Sequence, residues 1–334
     1  MSTIAVLGAG AWGTALAAVL ARGGHRVTLC ARRADHVASI RARRENEFYL
    51  PGVALPETIE LSDRWAEAAG ASEAVVMAVP SRFARAAMTP VGPALGANAI
   101  LISVTKGVEA DSLNTMTAML AEVAPAVKRL AVLSGPSFAA EVARGMPAAV
   151  VAAARDEAVS RGVQDLFASR TLRVYRSVDV DGVELAGAAK NVIAIAAGIS
   201  DGLGLGSSAR AALITRGLAE LARLGLRAGA RAETIYGLAG LGDLVLTCTG
   251  GLSRNRALGL KIGQGESVAG IAASTPPGHP VAEGVSNARS ISRLAERMGV
   301  EMPIVAAVCR VLYEGAPANA MVEELLSREL KAEF

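Results

Sequence analysis

The chain has 334 residues, of which 52% are apolar, and its 34 basic side chains nearly balance 31 acidic ones. That length suits two domains with separate cores, and that composition excludes a disordered chain. A net charge of +3, with no basic block longer than residues 41–44, gives no case for a nucleic-acid partner.

Residues 3–7 (TIAVL) read as a short buried strand. They run into Gly8-Ala9-Gly10-Ala11-Trp12-Gly13, then a small-residue helix over 14–21 and a second strand over 25–29. The apolar run 4–21 lacks the basic start of a signal peptide and is interrupted by glycines. No other apolar run is long enough to span a membrane without charge or glycine, so no integral membrane segment is expected. A G-x-G-x-x-G between a strand and a helix is the dinucleotide fingerprint. Gly8 permits the tight turn, Gly10 lets a pyrophosphate reach the backbone, and Gly13 lets helix and strand pack closely. The helix N-terminus offers free N–H groups to the phosphates.

An NAD site usually carries Asp or Glu near the end of the second strand, to hold the ribose 2′-hydroxyl. Here the strand ends Cys30-Ala31-Arg32-Arg33, with no acid before Asp35. Two guanidiniums there are either a solvated pair or a seat for an extra phosphate, and the second reading makes NADPH the preferred cofactor over NADH.

Further buried strand patterns occupy 74–79, 99–104, 130–133, 147–152 and 171–175, with a helix over 156–168 between the last two. This alternation predicts a parallel, doubly wound α/β sheet of the Rossmann type. Ligands in such sheets sit beyond the carboxyl ends of the strands, which puts Lys106 and the loop Gly135-Pro136-Ser137 at the binding edge. Each also fits ordinary loop chemistry.

From Val183 onward strand patterns stop. Small-residue helices are expected over 183–199, 209–224, 232–238, 287–298 and 303–313, and an amphipathic one over 319–330. The boundary is placed near Asp179, giving a dinucleotide-binding domain 1–178 and an all-α domain 179–334.

Within the first of these helices, LAGAAKNVIAIAAGI (185–199) is apolar or small except for Lys190 and Asn191. On a helix Lys190 shares its face with Ala186, Gly187, Ala194 and Ala197, which leaves open space above the ammonium. Lys190 either snorkels to the surface or meets a ligand with its pKa lowered by burial. Downstream, the glycine-dense stretch 237–259 holds Asp243 and Thr247 four apart, on one face if that turn is helical. Ser253-Arg254-Asn255-Arg256 follows. It reads either as a phosphate cradle or as a helix cap with solvated arginines.

Cys30, Cys248 and Cys309 are odd in number and far apart. Neither a disulfide framework nor a metal site can be drawn from them, and a reducing cytoplasm fits best.

Taken together, GAGAWGTALA (8–17), FYLPG (48–52), SVTKGVE (103–109), LSGPSFAAEV (133–142), ELAGAAKNVIAIAAGI (184–199), GLAGLGDLVLTCTG (237–250), SRNRALG (253–259) and VAEGV (281–285) resemble the bacterial NAD(P)-dependent glycerol-3-phosphate dehydrogenases almost end to end. The resemblance implies a Rossmann domain followed by a helical domain of the 6-phosphogluconate dehydrogenase type. It also implies reduction of dihydroxyacetone phosphate to sn-glycerol 3-phosphate for phospholipid synthesis, and a homodimer. It implies that Lys190 exchanges the proton, with Lys106, Asp243 and Thr247 beside it. It assigns Gly135, Ser137, Ser253, Arg254 and Asn255 to substrate, along with Lys106, Lys190 and Asp243. For cofactor, it adds Ala11, Trp12, Arg32, Arg33, Tyr49, Lys106, Ala139, Arg254, Val281 and Glu283 to the fingerprint glycines Gly8, Gly10 and Gly13. The chain departs from the family pattern at Ala11, where Ser is frequent, and at Ser208, where Asn is common; His279 takes no role. Two competing readings are a two-domain keto-acid reductase on the same plan and a dinucleotide-sensing module without turnover.

Overall fold

A computed structural model of the chain describes residues 1–274, 282–329 and 332. Ten strands form in its first half: β1 (Thr3–Leu7), β2 (Arg26–Cys30), β3 (Glu45–Asn46), β4 (Leu50–Ala54), β5 (Ile59–Ser62), β6 (Ala74–Met77), β7 (Ile100–Ser103), β8 (Arg129–Ser134), β9 (Ala148–Ala153) and β10 (Leu172–Ser177). Eight of them make one sheet in the order β10-β9-β8-β7-β6-β1-β2-β5, while β3 and β4 pair as a separate hairpin. The apolar runs become strands because Ile4, Val6, Leu29, Val75, Val76, Leu101 and Ile102 are buried between helices on both faces.

The chain leaves β1 in one direction toward β2 and β5, and in the other toward β6, β7 and β8. The strand order therefore reverses between β1 and β6, which opens a crevice beyond their carboxyl ends. The sheet is parallel except at one pair: β8 and β9 run antiparallel. The link between them is residues 135–147, holding only the five-residue helix Ala139–Ala143. That is too short for a crossover helix, so the chain doubles back.

Between Ser177 and Val180 the chain passes from sheet to helices. Asp179 caps the new helix, its Oδ1 accepting from Gly182 N at 2.9 Å and its Oδ2 from Arg231 N at 2.8 Å. That helix, Val180–Gly202, is long and apolar enough to cross a membrane, yet it is buried within the protein. It is the axis of the second core, in which Val192, Ile193, Ile195, Leu221, Leu244, Ile291 and Val305 meet.

Glycines on two helices explain a close helix–helix contact. A Cβ on Gly198 would overlap the carbonyl oxygen of Arg256, and one on Gly259 would overlap that of Ile195. The helix Arg254–Gly263 therefore lies in backbone contact with the core helix. No larger residue at either position permits that approach.

Candidate active site

Three backbone segments converge beyond the carboxyl ends of β7 and β8. Lys106 follows β7, Gly135 follows β8, and Lys190 stands midway along the core helix. Asp243 begins the helix Asp243–Thr249, directly after a five-residue π-helical turn at Leu238–Gly242. Such wide turns re-aim a helix and are frequent at functional sites.

Asp243 joins the two lysines. Lys190 Nζ donates to its Oδ1 at 3.0 Å, and Lys106 Nζ to its Oδ2 at 2.5 Å. Lys190 Nζ also donates to Thr247 Oγ1 at 2.6 Å, and Thr247 Oγ1 donates to the Asp243 carbonyl at 2.6 Å. Asp243 and Thr247 thus share one helix face, as their spacing requires. Lys106 Nζ makes a further bond to Gly135 O at 3.2 Å, and Ser137 Oγ donates to the same carbonyl at 2.9 Å.

Lys190 does not snorkel: the residue is 5% exposed. Nor is the space over its small neighbours empty. Gly187 faces Ser134 Oγ and the Lys106 stem, which fill it. Burial pushes the Lys190 ammonium down to about 8, the Lys106 charge adding to that effect and Asp243 opposing it. Burial works to raise Asp243, but the two lysine charges outweigh it and hold the carboxyl below its usual range. A protonated Lys190 has three N–H donors. Two are engaged in these bonds, which leaves one for a reacting oxygen.

The SRNR segment separates into different roles. Ser253 is the helix cap, accepting from Arg256 N at 3.2 Å, and Arg256 pairs with Asp201 at 2.6 Å. Arg254 is exposed and makes no ion pair among the described residues. Asn255 is buried; its Nδ2 donates to Asn191 Oδ1 at 2.9 Å and its Oδ1 accepts from Gly284 N at 2.9 Å. Gly284 belongs to a later helix, which starts at Glu283. Burial raises the Glu283 carboxyl, while the charges of Arg254, Lys106, Lys190 and Arg82 oppose it. Val281 and His279 lie outside the described residues.

The glycine loop after β1 fits a dinucleotide. Gly8 has φ +115°, a conformation that disfavours side chains, and a Cβ there would meet Ala78 O at 2.6 Å. Gly10 faces open space, and a Cβ on Gly13 would overlap Gly8 O. The helix Ala11–Arg22 that follows has no side-chain cap, so its first N–H groups remain free for phosphates. Ala11 and Trp12 open this helix, and Ala139 opens the short helix beyond Ser137. Arg32 and Arg33 stand exposed beyond β2, Arg33 bonded to Asp35 at 3.0 Å. Tyr49, in the β3–β4 hairpin, packs on His36 with ring centroids 5.4 Å apart.

Sequence reasoning passed over three asparagines. Asn46 Nδ2 ties the hairpin to the fingerprint, donating to Ala9 O at 2.9 Å and Thr14 Oγ1 at 2.8 Å. Asn287 bonds the main chain beside both lysines. Asn191 holds Asn255. Only Asn191 carried a sequence cue, as the second polar residue in an apolar stretch.

Residues 3–160 match the family model of the NAD-dependent glycerol-3-phosphate dehydrogenase N-terminus, and residues 179–323 match that of its C-terminus. The chain is 52% identical over 332 residues to a glycerol-3-phosphate dehydrogenase (NAD(P)+) of Geobacter sulfurreducens, covering 99% of this chain and 98% of that one. The enzyme of the same description from Anaeromyxobacter dehalogenans is 50% identical over 331 residues, covering 98% of this chain and 99% of that one. Among solved structures, glycerol-3-phosphate dehydrogenase from Coxiella burnetii superposes with a TM-score of 0.92 at 41% identity, over 97% of this chain and 98% of that one. A ketopantoate reductase from Ralstonia eutropha shares the fold alone, with a TM-score of 0.60 at 18% identity, over 96% of this chain and 99% of that one.

Proposed function

The chain belongs to the NAD-dependent glycerol-3-phosphate dehydrogenase family, and from that premise we propose that Lys190 is the group that exchanges a proton with the substrate oxygen. The reaction is the reversible reduction of dihydroxyacetone phosphate to glycerol 3-phosphate with NAD(P)H, a step that serves lipid metabolism. The observation that carries the Lys190 assignment is a lysine that burial brings down to about 8 and two bonds fix in direction, with one N–H left over.

The dinucleotide, when bound, supplies the hydride. Gly8, Gly10, Ala11, Trp12 and Gly13 would hold its pyrophosphate. Arg32 and Arg33 would hold a 2′-phosphate and so favour NADPH. Tyr49, Lys106, Ala139, Arg254, Val281 and Glu283 would complete its seat. As negative charge grows on the ketone oxygen, the Lys190 ammonium stabilises it and delivers a proton. In the reverse direction neutral Lys190 presents a lone pair to the alcohol. Asp243 and Thr247 fix the direction of Nζ, and Lys106 brings a second positive charge to the same carboxylate. Arg254, with Gly135, Ser137, Ser253 and Asn255 around it, would hold the substrate phosphate. On this reading 1–178 is the dinucleotide domain and 179–334 the substrate domain.

The assay is NADPH oxidation by dihydroxyacetone phosphate. Lys190→Ala is expected to lose turnover and keep NADPH binding; normal turnover would sink the assignment. We further read the protein as a cytoplasmic homodimer. Its cysteines are unpaired, as a reducing compartment keeps them, and Leu205, Val245 and Leu252 offer exposed apolar surface on the helical half. Light scattering showing a monomer would remove the dimer.

A further inference from the structure

We propose that Asn287 is a positioning residue that holds Lys106 and Lys190 at the spacing their shared carboxylate requires. Asn287 is fully buried, one helical turn beyond Glu283 on the helix Glu283–Met298. Its Nδ2 donates to the main-chain oxygen of Lys106 at 3.0 Å and to that of Ala188 at 3.3 Å. Lys106 belongs to the loop beyond β7, and Ala188 to the core helix, two residues before Lys190. One amide group therefore bonds the backbones of both lysine-bearing segments, across the seam between sheet and helices.

The other end of the same side chain shows why an amide stands there. Among the described residues Asn287 Oδ1 has no hydrogen-bond partner, and it lies against Gly107, where a Cβ would come within 2.9 Å of it. A buried acceptor without a partner is costly, and an apolar side chain would fill the space without that cost. The side chain thus contributes through its donor end. The seam has little slack to compensate for its loss. On the opposite side of the Lys106 stem, a Cβ on Gly187 would sit 3.4 Å from Lys106 Cγ and 3.1 Å from Ser134 Oγ.

The groups facing Lys190 from other elements are Asp243, Lys106, Glu283 and Cys248. If the loop carrying Lys106 is released, Lys106 withdraws from Asp243 and the carboxylate acts on Lys190 alone. Both changes favour the protonated form of Lys190. The proposal rests on Lys190 being the proton-transfer group, and its test separates the two ideas.

Asn287→Leu keeps the branched shape in a somewhat larger side chain and removes the donor, while Asn287→Thr keeps a hydroxyl able to donate to one carbonyl. Reduction of dihydroxyacetone phosphate is followed against pH in the full-length enzyme, with NADPH affinity measured by fluorescence. For Asn287→Leu, kcat is expected to fall on the order of ten- to a hundredfold, with NADPH affinity held within about twofold. The alkaline limb is expected to move up by about half a pH unit or more, and Asn287→Thr to fall between the parent and Asn287→Leu. Parent kcat and an unmoved limb in Asn287→Leu would overturn the proposal. So would a kcat loss that merely follows the folded fraction or NADPH affinity with no movement of the limb. If Asn287→Leu does not fold, Asn287→Thr decides by the same criteria. An active Lys190→Ala refutes the reading beneath the proposal; a dead Lys190→Ala with unaffected Asn287 variants refutes this proposal alone.

Discussion

Replacing Asp243 with Asn removes the carboxylate that two lysines share and leaves its shape in place. Lys190 titrates at about 8 because burial, aided by the Lys106 charge, outweighs the pull of Asp243. Without the carboxylate the two downward influences remain, opposed only by the weaker pull of Glu283. The Lys190 Nζ to Asp243 Oδ1 distance is 3.0 Å, at which unit charges interact by about 5 kcal/mol at an effective dielectric of 20. Half of that still moves the proton equilibrium by about two pH units. On the proposed role of Lys190, reduction requires its protonated form, so kcat for the parent is expected to fall as pH rises through about 8. In Asp243→Asn the fall comes about two pH units lower, a loss of roughly twenty- to thirtyfold at a pH of about 7.5. Glycerol 3-phosphate oxidation requires neutral Lys190, so its rising limb moves the same way and activity extends to lower pH. The assay is kcat in both directions across pH. Two limbs displaced together to lower pH mark a titrating lysine, whereas general damage lowers both directions at every pH. An unmoved limb, or a uniform loss, would refute the reasoning.

Arg32→Ala and Arg33→Ala are each expected to raise the KM for NADPH about tenfold or more and to leave that for NADH nearly unchanged; equal changes would refute the 2′-phosphate seat. Arg254→Ala is expected to raise the KM for dihydroxyacetone phosphate about ten- to a hundredfold, and an unchanged KM would remove Arg254 from the phosphate clamp. Burial pushes the Glu184 carboxyl up to about 7, against the bonds from Thr117. Its stabilising contribution is full below the ordinary carboxylate range and is lost as pH rises through about 7. Glu184→Gln is therefore expected to gain Tm relative to the parent at pH of about 8 compared with about 5, and a pH-independent difference would refute this.

What the sequence disclosed was whatever rests on local pattern. The fingerprint, the sheet and the lysine helix were legible because glycine spacing and apolar runs act over a few residues. The core helix begins at Val180, just after the cap Asp179 and three residues before its expected start. Less legible were the short helices Ala34–Arg43 and Trp65–Gly70 and the strands β3, β4 and β5. β4 contains Pro51 and pairs only with the two-residue β3, as suits an exposed hairpin, so its sequence lacks a strand's alternation. The antiparallel return of β9 was hidden as well, because apolar runs carry no direction. At the site, the reactive types could be named in advance, but not that Asp243 bonds both lysines. That contact joins positions 137 residues apart and leaves no periodic trace.

Buried acids show the same limit from the side of stability. Glu184 and Glu220 are 4% and 2% exposed, and neither forms a salt bridge among the described residues. Each faces the start of a helix elsewhere in the fold. Glu184 accepts from Thr117 N at 2.9 Å and Thr117 Oγ1 at 2.5 Å, at the head of the helix Met116–Val123. Glu220 accepts from Ile304 N at 2.7 Å and Val305 N at 3.3 Å, at the head of Pro303–Glu314. A helix start has free N–H groups and a positive dipole end, so a carboxylate from another element replaces the missing local cap. The Glu184 bond also crosses from the core helix to the sheet half, two turns before Lys190. Asn287 makes the second such crossing, and the Lys106–Asp243 pair the third. Separating the halves there would leave a buried carboxylate, an amide and an ion pair without partners, each costing on the order of 1–5 kcal/mol. These contacts fasten the two halves together beside the lysines, whereas Arg32, Arg33 and Arg254 stand exposed.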